Sequence, residues 1–133
     1  MPLRITLKPL ERLIINGAAI RNGDRSCSFV VETQCRFLRE SEIVYESEAD
    51  TPCKQLCLTV QVIHLAEDTT ETENLFYAQA SAVLAYMPSS APYLLEMQRA
   101  IEEKQTYAAI KAGKLLIMHE AEVLAERGAS NAA

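Results

Sequence analysis

The chain has no tryptophan, only 6% aromatic residues and four glycines among 133 residues. So few glycines leave little material for a phosphate-cradling loop, and neither G-x-x-x-x-G-K-[ST] nor G-x-G-x-x-G occurs. No apolar run approaches the roughly 20 residues that a membrane span needs, so no segment is expected to cross a bilayer. The opening "MPLRITLKPL" has no apolar h-region and no cleavage site. The four cysteines, Cys27, Cys35, Cys53 and Cys57, are therefore expected as free thiols in a reducing cytoplasm rather than as two disulfides.

Catalytic groups are equally scarce. Of the two histidines, His64 falls on an apolar helical stripe, where a hydrogen-bonded core histidine is expected. His119 stands beside Glu120 and Glu122, which reads as a solvated or ion-paired face. Neither has a serine or cysteine partner at a spacing known from catalytic families. Cys53, Cys57 and His64 share a helical face at offsets 0, 4 and 11. Eleven residues are roughly 16 Å along a helix axis, too far for His64 to join the cysteines around zinc. Core packing is the expectation there, with no metal, no cofactor and no enzymatic activity.

What the chain does have is hydrophobic content, at 49%, sufficient to bury a core without staples. It also has a lopsided charge distribution. Residues 1–40 carry seven Arg or Lys against four acids, and the remainder six against fourteen, within a net charge of -5. Charge on a small strand surface is ordinarily solvating. If a polyanion is bound, however, the N-terminal part is where it would bind.

Periodicity then divides the chain. Leu3, Ile5 and Leu7 alternate with Arg4, Thr6 and Lys8, a strand ended by Pro9. Asn16-Gly17 and Asn22-Gly23, each able to take positive φ in a type I′ turn, predict a meander of Arg12–Ile15, Ala18–Arg21 and Ser26–Val31. Between Gln34 and Tyr45 the pattern allows Cys35 and Phe37 to continue the meander and Ile43 and Tyr45 to add a last strand.

The period changes at "ESEADTPCK", where Asp50 or Thr51 can cap a helix opened by Pro52. Cys53, Leu56, Cys57, Val60, Ile63 and His64 form its stripe. A capping box at Thr70–Glu73 predicts a second helix to Met87, with Phe76, Ala80, Val83, Leu84 and Met87 on one face. Pro92 opens a third, carrying Leu94, Met97 or Gln98, and Ile101, and Thr106 a fourth, with Ile110, Gly113, Ile117, Ala121 and Leu124 in register. The tail from Arg127 onward is expected to fray. The fold class is thus α+β: a small N-terminal antiparallel sheet over 1–48, then an acidic bundle of three to four helices over 49–133, in one compact unit.

Arg4, Lys8, Arg12, Arg21 and Arg25 lie on adjacent strands and turns and are expected to converge on one face. Single-stranded RNA is the polyanion that small β surfaces most often track. Because Phe29 and Phe37 belong in the core, contact would lean on phosphates, backbone groups and arginine stacking, and would be strongly salt dependent.

"MPLRITLKPLERLIINGAAIRNGD", followed by "EADTPCK" and closed by "YAAIKAGKLLIMHEAE", resembles the FlbT family of post-transcriptional regulators of flagellin synthesis in flagellated alphaproteobacteria. The opening strands are also similar in pattern to the carbon-storage regulators, small β-sheet mRNA binders that form intertwined dimers. The FlbT resemblance implies binding to the 5′ untranslated region of flagellin mRNA, lowering its translation and stability until a flagellar intermediate is complete. It also implies a functional link to flagellin and to a FlaF-type protein, so a chaperone-like or adaptor role for the helices is the alternative. A homo-oligomer stays open. One position departs from the family pattern: Leu10 stands where Gly usually follows "LKP" and where a tight turn is expected.

Overall fold

In β1 (Leu3–Leu7), Ile5 and Leu7 are buried while the alternating Arg4 and Thr6 are exposed, the period of a strand with one wet face. The computed structural model, which describes residues 3–132, pairs β1 antiparallel with β4 (Cys27–Val31), setting Ile5 opposite Phe29. A second antiparallel sheet has the order β3-β2-β5, from β2 (Arg12–Ile15), β3 (Ala18–Arg21) and β5 (Phe37–Arg39). Ile5, Leu7 and Leu13 form a core joined by Ile15, Phe29, Val31 and Phe37, so apolar faces of both sheets contribute to it.

The strands expected from the sequence are present, but they are distributed over two sheets instead of running as one meander. The cause lies in the two Asn-Gly pairs. Asn16 (φ 47°) and Gly17 (φ 82°) both take positive φ and join β2 to β3 as a tight hairpin. Neither Asn22 nor Gly23 does so. Asn22 instead donates its side-chain amide to the carbonyls of Lys8 and Arg25, at 2.8 Å each, and its backbone N–H to Glu11 at 2.9 Å. These bonds send the chain across to β1 rather than back along β3.

Ile43–Tyr45 is not a strand. A 3-10 turn at Glu40–Glu42 precedes it and another at Glu46–Glu48 follows. The Gln61 side-chain amide satisfies Val44, accepting its N–H at 2.7 Å and donating to its carbonyl at 3.1 Å, so the backbone needs no neighbouring strand.

The chain divides into two compact units between Ile43 and Val44, and the second is helical. In α1 (Pro52–Leu65), Thr51 caps the N-terminus by accepting from the Lys54 N–H, Pro52 opens the first turn, and the whole expected stripe from Cys53 to His64 is buried. In α2 (Thr70–Tyr86) the cap is Thr69, one residue before the expected box, with its hydroxyl bonded to Glu73 at 2.7 Å. Phe76, Val83 and Met87 are buried as expected, but Leu84 is 44% exposed. Helix α3 (Ala91–Glu102) buries Leu94, Met97, Ala100 and Ile101.

Helix α4 (Thr106–Ala132) continues through the tail predicted to fray, while Ala133 lies outside the described residues. Its buried face runs through Ala109, Ile110, Ala112, Gly113, Leu116 and Glu120. Ile117 is only half-buried, and Ala121 and Leu124 are exposed, so the expected stripe is displaced over its second half. Small residues set this orientation. A Cβ at Gly113 would stand 2.8 Å from Cys57 Sγ, so glycine is what lets α4 approach α1 there. Among the described residues, no helix is long and apolar enough to cross a membrane.

Candidate nucleic-acid interface

The five cationic residues singled out by sequence are all exposed, but their strands do not gather them onto one flat face. Arg12 and Arg21 are direct cross-strand partners in β2 and β3. Residues directly opposite point to the same side, here the side away from Leu13 and the core. Arg4 sits on the other sheet, opposite Val30, on the side of β1 away from Ile5 and Leu7. Lys8 and Arg25 flank strand ends, and Asn22 ties their two carbonyls together. The structure therefore assembles Lys8, Arg12, Arg21 and Arg25 around the Asn22 corner and leaves Arg4 apart.

Like charges directly opposite in a sheet are destabilising without a counter-charge. Among the described residues, no carboxylate forms an ion pair with Lys8, Arg12, Arg21 or Arg25. The acids nearest in the hydrogen-bond network serve the backbone. Glu11 accepts from the Lys8 N–H at 2.8 Å, and Glu40 from the Arg12 N–H at 3.4 Å. Lys8, Arg12, Arg21 and Arg25 are all exposed.

Leu10 lies in the same corner and takes φ 62°, a left-handed conformation in which a Cβ is strained. The tight turn implied by the family resemblance is therefore made with leucine. It is held by the Leu10 N–H to the Gly23 carbonyl at 2.8 Å and the Glu11 N–H to the Lys8 carbonyl at 3.1 Å. Sequence reasoning missed the part played by Asn22, although asparagine's habit of bonding nearby backbone was a usable signal. Phe29 and Phe37 pack against the core, as expected, so they offer no stacking platform.

The remaining polar groups fall elsewhere. His64 is buried, with Nδ1 2.8 Å from the Thr106 hydroxyl, the satisfied core histidine that was expected. His119 differs from expectation, because its Nε2 lies 2.7 Å from Ser89 Oγ and its ring stacks on Tyr93. Chain topology, not sequence spacing, creates that pair. Glu120, expected in a solvated setting, is 2% exposed and accepts from Thr51 Oγ1 at 2.5 Å and from the Cys53 N–H at the start of α1. Burial, reinforced by a hydrogen bond to Glu120, pushes the Cys53 thiol far up. Burial, with Glu120's charge, pushes Cys57 up to about 12. Both thiols are held protonated and unreactive. Among the described residues, no group of three His, Cys, Asp or Glu is placed to hold a metal ion.

The family model described as "Flagellar protein FlbT" matches residues 3–124. The chain belongs to the FlbT family. It is 31% identical over 124 residues to the "Probable flagellum biosynthesis repressor protein FlbT" of Rhodopseudomonas palustris, covering 93% of this chain and 98% of that one. It is 27% identical over 129 residues to the "Flagellum biosynthesis repressor protein FlbT" of Caulobacter vibrioides, covering 93% and 90%. A Mesorhizobium japonicum FlbT is 33% identical over 116 residues, covering 83% and 76%. No solved structure matches. The matched residues include both the strands around the Asn22 corner and nearly all of the helical unit.

Proposed function

We propose that this FlbT-family chain represses flagellum biosynthesis by binding the 5′ untranslated region of flagellin mRNA, acting in the cytoplasm by binding rather than by catalysis. Family membership and the repressor names of the relatives support a regulatory role in flagellar synthesis. The observation that carries the RNA reading is the Arg12–Arg21 pair, directly opposed and, among the described residues, with no carboxylate in an ion pair with either guanidinium. Two phosphates of a single strand would relieve its repulsion. Lys8 and Arg25, anchored through Asn22, would extend the contact along the backbone. Arg4, on the other sheet, would contribute least.

Without exposed rings in the strands, sequence selectivity would come from the Asn-Gly turns, exposed backbone groups and arginine stacking. A bound leader would be closed to ribosomes, which accounts for lowered translation. The test is binding of the purified protein to a flagellin leader RNA and to a shuffled RNA of equal length. Preference for the leader, weakening steeply with salt, is the expected result. Binding to flagellin or to a FlaF-type protein with no binding to either RNA would replace this reading with an adaptor role for the helical unit.

A further inference from the structure

Helix α2 packs on α1, α1 on α4 and α4 on α3, but α2 and α3, joined by the short turn Pro88–Ser90, barely touch. The seam between them is an open groove of about 330 Å³. Its walls are two stripes at helical spacing, Tyr77, Ala80 and Leu84 on α2 and Ala91, Leu94 and Leu95 on α3. Leu84 is 44% exposed and Leu95 69%, so large apolar side chains stand in solvent beside small residues that leave holes. Bundles normally close such a seam with another helix.

The groove's electrostatics are one-sided. At one end the Tyr77 hydroxyl donates to Glu102 at 3.3 Å, and Gln98 donates to the same carboxylate oxygen at 3.1 Å. Glu73 stands one helical turn before Tyr77 on α2, at the same end, and burial together with the charges of Glu102 and Glu73 raises the Tyr77 pKa. Glu73 accepts from the Thr69 hydroxyl at 2.7 Å and makes a long ion pair, 3.8 Å, with the exposed Lys104. Helix α2 contains no Lys or Arg, and the one cation of α3, Arg99, is held by Glu96 and Glu103. The lining itself, Tyr77 to Gln98, contains no charged side chain, and Glu102 stands beside it, bonded to both Tyr77 and Gln98.

We propose that this groove receives an amphipathic helix of a partner protein, with apolar residues at i, i+3 or i+4 and i+7 and a Lys or Arg over Glu102 and Glu73. The stripe from Tyr77 to Leu84 spans seven residues, about 10 Å, or two turns of an incoming helix. A second copy of this chain is a poor occupant, because its own α2 and α3 offer no free cation to those carboxylates. A nucleic acid is repelled by the same acids, so this surface is separate from the arginine corner and does not depend on the RNA reading.

The test uses the full chain and a fluorescently labelled helical peptide with Leu at i, i+3, i+4 and i+7 and Lys at one end, beside a scrambled peptide of the same composition. Saturable binding at least tenfold tighter than to the scrambled peptide is expected. Leu95→Asp, at an exposed position that leaves the core intact, should weaken binding at least tenfold, and Glu102→Gln should weaken it several-fold and reduce its salt dependence. Thermal unfolding of each variant confirms that it folds. Equal binding of both peptides, no binding of either, or binding unaffected by Leu95→Asp would overturn the proposal. So would a dimer in sedimentation that Leu95→Asp dissociates, since the groove would then be the contact between copies.

Discussion

The two units use charge in opposite ways. In the strand unit, residues 1–43, seven Arg or Lys face five acids, and among the described residues no carboxylate forms an ion pair with Lys8, Arg12, Arg21 or Arg25. In the helical unit, residues 44–133, six face thirteen, and its cations include Lys54, Arg99 and Lys104 in ion pairs with Asp50, Glu96, Glu103 and Glu73. The strand unit has a thin core of Ile5, Leu7 and Leu13 with four partly buried neighbours, and buries Leu38 besides. The helical unit buries Phe76, Leu56, Met87, Met97, Ile101 and Leu116 almost completely. Buried apolar side chains are concentrated where the surface is acidic, and cations outside ion pairs, among the described residues, where the core is slight. A surface that must meet a polyanion gains from keeping its cations unpaired, and the cost in stability is tolerable only if it is small.

Five measurements would break or sharpen that contrast. The largest effect is expected in the helical core: Phe76→Ala should cost about 3–5 kcal/mol in urea unfolding, through lost burial and the cavity left behind. Next comes alkaline pH. The Cys57 thiol is raised from about 9 to about 12 by burial, so the folded state holds its proton more tightly than the unfolded chain. That contribution is fully present below about pH 9 and is lost as pH rises toward 12. Urea midpoints should fall across this window, and the fall should be shallower in Cys57→Ala. Cys27, exposed, should react with a thiol reagent in the native protein, while Cys53 and Cys57 should react only on unfolding.

Gly113→Ala should destabilise by about 1–3 kcal/mol, because the added methyl meets Cys57 Sγ where α4 crosses α1. The smallest change is in the strand unit and has the opposite sign. Leu10→Gly relieves a left-handed leucine and should stabilise by up to about 1 kcal/mol, part of the relief being offset by glycine's greater freedom when unfolded. Destabilisation there would mean that exposed Leu10 makes contacts worth more than the strain.

Legibility in the sequence follows the same division. The helical unit was readable because its signals are local: Thr51-Pro52 starts α1, the Cys53 to His64 stripe is buried, and Pro92 and Thr106 open α3 and α4. It failed at α4, where an apolar count placed Ile117, Ala121 and Leu124 inside. The true face is set by Gly113 and closed by Glu120, whose burial depends on Thr51 and the Cys53 N–H far away in sequence.

In the strand unit the elements were legible and their pairing was not. Asn16-Gly17 and Asn22-Gly23 look alike, yet only the first takes positive φ. The second is decided by Lys8, Glu11 and Arg25, which the chain brings to Asn22 only after folding. The candidate site rests on residue types, and the structure groups four of the five residues around that corner and sets Arg4 on the other sheet.

The most direct test of the central claim is the salt dependence of leader-RNA binding by the wild type and by Arg12→Ala/Arg21→Ala. Each phosphate neutralised on a single strand contributes about -0.7 to the slope of log affinity against log salt. The double variant should bind more weakly, with a slope shallower by roughly one to two units and unfolding close to that of the wild type. Unchanged affinity and slope in that variant would contradict the assignment of the arginine corner as the RNA contact.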